Sequence, residues 1–440
     1  MTATSPLPNP PLVVLDDDPT GTQALAGVPV LLAPDEPSLR ALANAGAAAV
    51  HLLTNSRALQ PAAAERLVAE TSALARRALP AAEVVLRGDS TLRGHLLEEY
   101  RGLRAACFPD VTPVLLLVPA LPAAGRVTVG GVHLLDRDGT RTPLHDTEYA
   151  RDPVLGYSDA RLLYWAQERS RGYFAAGAGR EVGLAQLRRD GGDAIAAAIT
   201  HLTFAGRPAV CAPDAETVTD LEAVAAGLRQ VRAAGVPVVV RCGPTFVGVL
   251  SGALARGPAV PPSVTGGVLV VCGSFVATAT RQLAALEKGY PGSLIQADAA
   301  ALASSDASPE LGRLAGAVSS RLRRHRVAVL ATPRNRPPAG DLDVQAKVAA
   351  NLAGVLPLLD EPPELVIAKG GVTSAVTARV GLQARRADVI GPVAEGVGLW
   401  QVHRPGGGRL PYLVVPGNVG EDDLLARLVA LVRAPAQAAG

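Results

Sequence analysis

The stretch LRGDSTLRGHL, residues 86–96, decides how the fold is interpreted. It follows AAEVV, a short β-branched run that predicts a buried strand, and it precedes a segment with helical periodicity. Two arginines, an aspartate and two hydroxyl side chains lie within seven residues at this junction. These polar groups are therefore expected at the carboxyl end of a strand, where open α/β sheets bind their ligands.

Short β-branched runs alternate with longer helical segments along the rest of the chain. This alternation predicts an α/β fold with mostly parallel sheets. It is interrupted at residues 256–267, RGPAVPPSVTGG, which gathers three prolines and three glycines, and 440 residues exceed the usual size of a single core. We therefore predict two domains, residues 1–260 and 261–440, each a mostly parallel sheet flanked by helices.

The composition excludes several classes of protein. The net charge of +2 comes from 42 basic and 40 acidic residues without a basic run, so no nucleic-acid partner is expected. The longest apolar run, VLLLVPAL, is too short to cross a membrane, so no membrane partner is expected. The four cysteines lie far apart without a C-x-x-C pair, and the first residues do not resemble a secretion signal, which favours the cytoplasm. The oligomeric state is left open, with a homo-oligomer among the options.

Further polar clusters follow other strands of the first domain. Asp16, Asp17 and Asp18 follow the first strand, and three adjacent carboxylates are costly unless a cation or a hydroxyl-rich ligand uses them. Each of them alone is explained more simply as the cap of a turn. Arg57 ends the motif TNSR after another strand, and Arg126 follows a proline-rich turn, although an exposed arginine is an equally simple interpretation of Arg126.

The opening stretch suits a small polyhydroxy acid. Arginine forks match carboxylates, the hydroxyls of Ser90 and Thr91 can bond to other hydroxyls, and Asp89 can accept from an alcohol. The alternative is that Asp89 or Ser90 caps the following helix while Arg93 forms a surface ion pair with Glu98 or Asp89.

The second domain has glycine-rich strand ends instead. VVCGSF, VIAKGGVTS and VVPGNVG each turn from a strand toward a helix through glycine. Glycine lets the backbone approach a ligand closely, and helix N–H groups attract phosphate, so three such turns suggest a nucleotide. One turn alone would be weak evidence, and none matches G-x-x-x-x-G-K-[ST] or G-x-G-x-x-G. A nucleotide domain joined to an acid-binding domain predicts a kinase for a small acid.

The ordered set of motifs resembles the four-carbon acid sugar kinase family, which has a sugar-binding N-terminal domain and a nucleotide-binding C-terminal domain. DDDPTG, TNSR, DSTLRG, PALPAAGRVTVGG, KGGVTS and PGNVG resemble that family's motifs over nearly the whole chain. The chain departs from many members at LRG, where they have a lysine-rich approach, and at AKGGVTS, where they have a serine-rich glycine loop. Family members act on threonate, erythronate and their oxo relatives.

The resemblance implies an ATP-dependent, Mg²⁺-assisted kinase that phosphorylates the terminal hydroxyl of such an acid. Residues 1–260 would bind the sugar acid and residues 261–440 the nucleotide. The motif positions that would line the sugar-acid site are Asp17, Asp18, Arg57, Asp89, Ser90 and Arg93, with Arg126 added from the proline-rich turn. The positions that would contact ATP are Ser274, Gly370, Gly371, Val372, Thr373 and Gly417.

Asp18 and Asp89 are the candidates for the catalytic base. Neighbouring carboxylates should raise the pKa of Asp18 and make it the better base, whereas flanking arginines should keep Asp89 ionised as an orienting group. Arg57 or Arg93 would hold the substrate carboxylate. Two other classes stay open: a non-catalytic sugar-acid sensor, although no output segment is visible, and an NAD(P)-dependent oxidoreductase, against which the missing G-x-G-x-x-G motif counts.

Overall fold

The computed structural model describes residues 11–274, 276–333 and 342–433. The chain forms two compact units, Met1–Leu254 and Ala255–Gly440. Each unit is built on a mostly parallel sheet with helices between its strands, which confirms the predicted fold class. No helix in the described ranges is both long and apolar enough to cross a membrane.

The strands of the first unit are β1 (Leu12–Asp16), β2 (Val28–Leu31), β3 (Ala49–Leu53), β4 (Val84–Arg87), β5 (Val114–Val118), β6 (Arg126–Val129), β7 (Val132–Arg137), β8 (Thr140–Pro143), β9 (Arg180–Val182), β10 (Val210–Pro213) and β11 (Val238–Cys242). They form a parallel sheet with the strand order β2-β3-β1-β4-β11-β5-β10-β9 and a small antiparallel sheet, β6-β7-β8. The small antiparallel sheet was not predicted.

The helices of the first unit connect these strands. They are α1 (Glu36–Asn44), α2 (Pro61–Ala78), α3 (Leu96–Cys107), α4 (Leu162–Arg169), α5 (Leu184–Asp190), α6 (Gly192–Phe204), α7 (Val218–Ala233) and α8 (Pro244–Ser251). Most of them follow amphipathic segments whose apolar side packs on the sheet, as in α2, where Ala64, Val68 and Ala75 are buried.

Strands β1 and β4 are apolar until their last residues, and this positions the site. Val13 and Leu15 of β1 and Leu86 of β4 belong to one buried apolar cluster, but β1 ends with Asp16 and β4 with Arg87. The parallel register pairs Asp16 with Arg87 across the two strands. The loops that follow these strands therefore leave the sheet at the same edge.

The strands of the second unit are β12 (Val268–Cys272), β13 (Leu294–Gln296), β14 (Val327–Ala331), β15 (Leu365–Lys369), β16 (Arg386–Ala394), β17 (Val397–His403) and β18 (Arg409–Val415). Their order in the sheet is β13-β14-β12-β15-β18-β17-β16. Its helices are α9 (Ala277–Gly289), α10 (Ala299–Ala303), α11 (Ser308–His325), α12 (Leu342–Ala353), α13 (Gly371–Val376) and α14 (Leu424–Val432). Strands β13, β14, β12, β15 and β18 pair in parallel in that spatial order. Strands β18, β17 and β16 form an antiparallel meander, and β17 was not predicted.

Candidate active site

Arg57 joins three carboxylates at the carboxyl edge of the first unit's sheet. Its guanidinium lies 3.0 Å from Asp17 Oδ1, 3.5 Å from Asp18 Oδ2 and 3.2 Å from Asp89 Oδ2. The two loops that carry these carboxylates follow β1 and β4. The structure thus brings together four residues that the sequence analysis assigned to the sugar-acid site.

A second guanidinium, that of Arg87, lies beneath this group. Its NH1 group is 2.8 Å from Asp17 Oδ1 and 3.2 Å from Asp16 Oδ1, and it donates to the carbonyl oxygen of Asp18 at 3.1 Å. His51 Nδ1 lies 2.8 Å from the other carboxylate oxygen of Asp16. His51 was missed because a single polar residue within an apolar strand also fits a satisfied core histidine; its position in the otherwise apolar run AAVHLLT was the available signal.

The loop after β4 is held by its own side chains. Asp89 Oδ1 accepts from the backbone N–H of Thr91 at 3.1 Å, and its Oδ2 accepts from Arg93 Nε at 2.8 Å. Helix α3 begins only at Leu96, so the alternative that Asp89 or Ser90 caps this helix is wrong. Arg93 does pair with Asp89, as that alternative held, but both side chains are largely buried.

Arg93 and Arg57 are the arginines of this group that reach solvent. The Arg93 side chain is 22% exposed and that of Arg57 is 12% exposed, against 1% for Arg87. A ligand arriving from solvent therefore meets Arg93 and Arg57 before it meets Arg87.

Arg241, near the end of β11, extends the charged group and was not predicted. Its Nε lies 3.2 Å from Glu99 Oε2, and Glu99 also accepts from the hydroxyl of Ser56 at 2.8 Å. A Cβ atom at Gly88 would lie 2.5 Å from the Arg241 guanidinium carbon, and one at Gly94 would lie 2.6 Å from its NH2 group. The two glycines that flank D-S-T-L-R thus make room for Arg241, and their spacing was the signal in the sequence.

Ser90 and Arg126 are linked through His133. The carbonyl oxygen of Ser90 accepts from His133 Nε2 at 2.9 Å, and the carbonyl oxygen of Thr91 accepts from the Tyr157 hydroxyl at 2.8 Å. Burial, with a smaller effect of the Arg126 charge, lowers the pKa of His133 to about 4, which keeps its ring neutral. The Arg126 charge thus helps to keep the His133 ring neutral, and that ring holds the Ser90 backbone.

The electrostatics give the raised pKa to Asp17 and not to Asp18. Burial raises the pKa of Asp17 to about 7, although Arg57 and Arg87 oppose the rise. For Asp18, burial acts in the same direction but is outweighed by Arg57, Arg87 and two hydrogen bonds from Thr20, so its pKa is lowered. The expectation of a raised pKa for Asp18 is therefore wrong.

The prediction that arginines keep Asp89 ionised agrees with the direction of its pKa shift. Burial would raise the pKa of Asp89, but the charges of Arg93 and Arg57 outweigh burial and hold it far below its usual range. Asp89 is thus ionised at every pH at which the protein would work. Asp17 alone of the three carboxyls in contact with Arg57 combines a raised pKa with an oxygen, Oδ2, that is buried without a hydrogen-bond partner among the described residues.

The predicted glycine turns of the second unit meet at the carboxyl ends of β12, β15 and β18. A Cβ atom at Gly273 would lie 2.5 Å from Thr373 Oγ1, and one at Gly417 would lie 2.7 Å from Ser274 Oγ. Gly370 has a φ of +107°, which other residues rarely adopt, and its Cβ position is 3.3 Å from both Ser274 Cβ and Thr373 Oγ1. Gly371 and Val372 form the start of α13 beside them.

We call this arrangement the phosphate cradle. It fits a polyphosphate, because three glycine turns and the hydroxyl residues Ser274 and Thr373 converge on one place. A dedicated metal site has less support. The residues that the structure describes contain no group of three or more His, Cys, Asp or Glu side chains that could hold a metal ion. A magnesium ion would then be held mainly by the phosphates of its nucleotide, as is usual for this metal.

The chain matches two family descriptions. Residues 12–250 match the "Sugar-binding N-terminal domain", and residues 269–425 match the "Nucleotide-binding C-terminal domain". Among curated relatives, a D-threonate kinase of Bordetella bronchiseptica is 29% identical over 394 residues, covering 86% of this chain and 85% of the relative. A D-erythronate kinase of Heliobacterium modesticaldum is 31% identical over 286 residues, which cover 63% of this chain but only 59% of that relative's length.

Two solved structures share the fold. A Salmonella typhimurium protein described as a putative tRNA synthase has a TM-score of 0.67 at 18% identity, with 96% of this chain and 99% of that chain covered. A Haemophilus influenzae protein has a TM-score of 0.61 at 17% identity, with 95% and 99% covered. These likenesses support the fold alone. Since the sugar-binding family description matches more than half of the chain and the nucleotide-binding one follows it, the chain belongs to the four-carbon acid sugar kinase family.

Proposed function

We propose that this protein is an ATP-dependent kinase that phosphorylates the terminal hydroxyl of a four-carbon sugar acid, either threonate, erythronate or an oxo-tetronate. The product is the 4-phosphate. Residues 1–260 bind the sugar acid and residues 261–440 bind the nucleotide. The kinase relatives act, by their names, on D-threonate and D-erythronate, which supports this substrate class.

The observation that carries the proposal is the group of arginines and aspartates at the carboxyl edge of the first unit's sheet. Arg93 and Arg57 are partly exposed cations that suit the substrate carboxylate. The ionised carboxylates of Asp18 and Asp89 can accept hydrogen bonds from substrate hydroxyls. A small anion with several hydroxyl groups satisfies both kinds of side chain at once.

Asp17 is the proposed general base in place of Asp18. A base that works near neutral pH needs a pKa close to that pH, and the pKa of Asp17 is about 7. Its Oδ2 is buried without a hydrogen-bond partner among the described residues, so it can take up the proton of the attacking hydroxyl without losing an existing bond. As that proton leaves, the hydroxyl oxygen bonds to the γ-phosphorus, the bond from this phosphorus to the β,γ-bridging oxygen breaks, and ADP departs.

The nucleotide contacts proposed for the second unit are Ser274, Gly370, Gly371, Val372, Thr373 and Gly417. Their role is to position the phosphates, since phosphoryl transfer asks a protein mainly for positioning and charge neutralisation. Mg²⁺ bound to the phosphates supplies part of that neutralisation. The convergence of the three glycine turns supports this assignment.

A screen for ADP formation tests the proposed function. The purified protein is incubated with Mg-ATP and each stereoisomer of threonate and erythronate, together with the oxo-tetronates, and ADP is followed by a coupled assay. We expect one four-carbon acid to give ADP and a 4-phosphate, identified by phosphorus NMR. Five- and six-carbon acids are the matched controls. ADP formation with none of the four-carbon acids, or reduction of NAD(P) by one of them, would contradict the proposal.

Arg93→Lys is expected to lower kcat/KM for the acid by roughly 10- to 100-fold. Lysine keeps the positive charge but loses the paired donors that match a carboxylate, at a cost of about 1.5–3 kcal/mol. Steady-state kinetics at saturating Mg-ATP measure the effect, with Arg101→Lys on the exposed side of α3 as the control. The neutral amide of the substrate should make Arg93→Lys and the wild type nearly alike. If the amide separates them as strongly as the acid does, Arg93 does not hold the carboxylate.

A further inference from the structure

Lys369 is a fully buried cation at the end of β15, directly before the glycine turn Gly370–Gly371. Its relative exposure is 0%, and the parallel register places it between Cys272 of β12 and Val415 of β18. Its Nζ donates to the carbonyl oxygen of Val419 at 2.9 Å. The residues that the structure describes offer it no carboxylate as an ion-pair partner. A buried charge of this kind is costly unless an opposite charge compensates it.

Lys369 shares its acceptor with a second buried side chain. Gln282 of α9 has its Nε2 atom 3.0 Å from the carbonyl oxygen of Val419, 3.1 Å from that of Gly420 and 2.8 Å from that of Glu421. Both side chains therefore hold the backbone of residues 416–421, the turn between β18 and α14. This is the turn whose Gly417 lies against Ser274 in the phosphate cradle.

The residues assigned to the nucleotide are all neutral, whereas a triphosphate carries several negative charges. The acidic residues at the end of the 416–421 turn add negative charge and do not compensate that of the phosphates. The nearby Arg281 is already paired with Asp422 at 2.7 Å. Lys369 is adjacent in sequence to Gly370 and bonded to the turn that contains Gly417. Its charge acts through the buried interior, where electrostatic interactions are stronger than in water.

We propose that Lys369 is a positioning residue of the nucleotide site, which fixes the 416–421 turn and whose uncompensated positive charge stabilises bound phosphates. The inference rests on the proposed kinase function.

The charge of Lys369 should be sensitive to pH. Burial lowers its pKa from 10.5 to about 8, so the ammonium is present at neutral pH and is lost as the pH rises through 8. The groups that the structure places beside it are the Cys272 thiol from the neighbouring strand β12, the carbonyl oxygen of Val419, and the neutral Gln282 of α9, which shares that acceptor. The thiol is the ionisable group whose charge acts on Lys369, so Cys272→Ser serves as a control.

The test compares the affinities of Mg-ATP, Mg-ADP, AMP and adenosine by titration calorimetry. Lys369→Met should weaken ATP by roughly tenfold or more, ADP by less and adenosine hardly at all, because each phosphate adds charge that Lys369 would otherwise stabilise. Lys369→Arg should retain most of the ATP affinity. Gln282→Met removes the other anchor without removing charge, so it should weaken ATP and ADP by similar factors.

The outcomes separate this inference from the proposed function. If Lys369→Met weakens adenosine as much as ATP, the residue has a structural role only and the inference is wrong. If Lys369→Met does not fold, the pH series decides: the affinity of the Cys272→Ser variant, which keeps Lys369, for ATP should fall between pH 7 and 9, and a flat series would overturn the inference. A wild type that binds ATP but phosphorylates no four-carbon acid would overturn the proposed function and leave Lys369 as a nucleotide residue.

Discussion

Asp17→Asn is expected to lower kcat by ~10²–10⁴-fold with a much smaller change in KM for the acid, which is the usual size of a general-base contribution. Asparagine has nearly the shape of aspartate but cannot accept the hydroxyl proton. Steady-state kinetics at saturating Mg-ATP measure the effect. Thermal melting must accompany the kinetics, because Asp17 also contacts Arg57 and Arg87.

The pH profile distinguishes a base from a residue that only shapes the site. The pKa of Asp17 is about 7, and only the ionised carboxylate can accept a proton. Wild-type kcat/KM for the acid should therefore rise as the pH rises through about 7 and then level off. This lower limb should be absent from the residual activity of Asp17→Asn. A limb that persists unchanged in the variant would belong to another group.

Asp18→Asn is the matched comparison, because Asp18 is adjacent and also contacts Arg57. Its pKa is lowered, so it should be a weak base, and its replacement should mainly raise KM for the acid. The opposite pattern, with a ~10²–10⁴-fold loss of kcat in Asp18→Asn and a small loss in Asp17→Asn, would restore Asp18 as the base.

The fold was predictable where the signal is local. Apolar strands followed by polar or glycine-rich turns predict a parallel α/β sheet, and the described clusters lie at such strand ends. The antiparallel strand Val397–His403 was missed because VGLWQVH lacks a continuous apolar run, and its pairing with both neighbouring strands becomes visible only in the assembled sheet. The small sheet of β6, β7 and β8 was missed for the same reason.

The composition of the site was predictable, but its electrostatics were not. The like charges around Asp18 are adjacent in sequence and suggested a raised pKa, whereas the arginines that lower it come from other strands, as in the Arg87 contact to the Asp18 carbonyl from 69 residues away. The pair Arg241–Glu99 spans 142 residues. The spacing of Gly88 and Gly94 signals that a side chain needs room there, but nothing in the sequence identifies it as Arg241 or Glu99 as its partner.

Arg57→Met is expected to destabilise the first unit by about 3–5 kcal/mol near neutral pH, the range measured when one partner of a buried ion pair is removed. Methionine retains much of the apolar length of arginine but leaves three largely buried carboxylates without their shared cation. Urea unfolding monitored by circular dichroism measures the loss. Binding of the sugar acid should be lost as well, since Arg57 is one of the two partly exposed cations.

The destabilisation caused by Arg57→Met should depend on pH with a definite sign. The pKa values of Asp18 and Asp89 are lowered in the folded protein, partly by Arg57, so their contribution to stability is present above the ordinary aspartate pKa of 3.8 and is lost as the pH falls. Asp17 acts in the same direction, because without Arg57 its pKa rises further and its protonation relieves the buried charge. The difference in unfolding free energy between wild type and variant should therefore be largest at pH 8 and shrink toward pH 4.

Arg77→Met is the control, because it breaks the exposed pair with Glu36, and its stability should change little at any pH. An Arg57→Met loss that is equally small, or that is independent of pH, would mean that the three carboxylates do not depend on Arg57 for their charge.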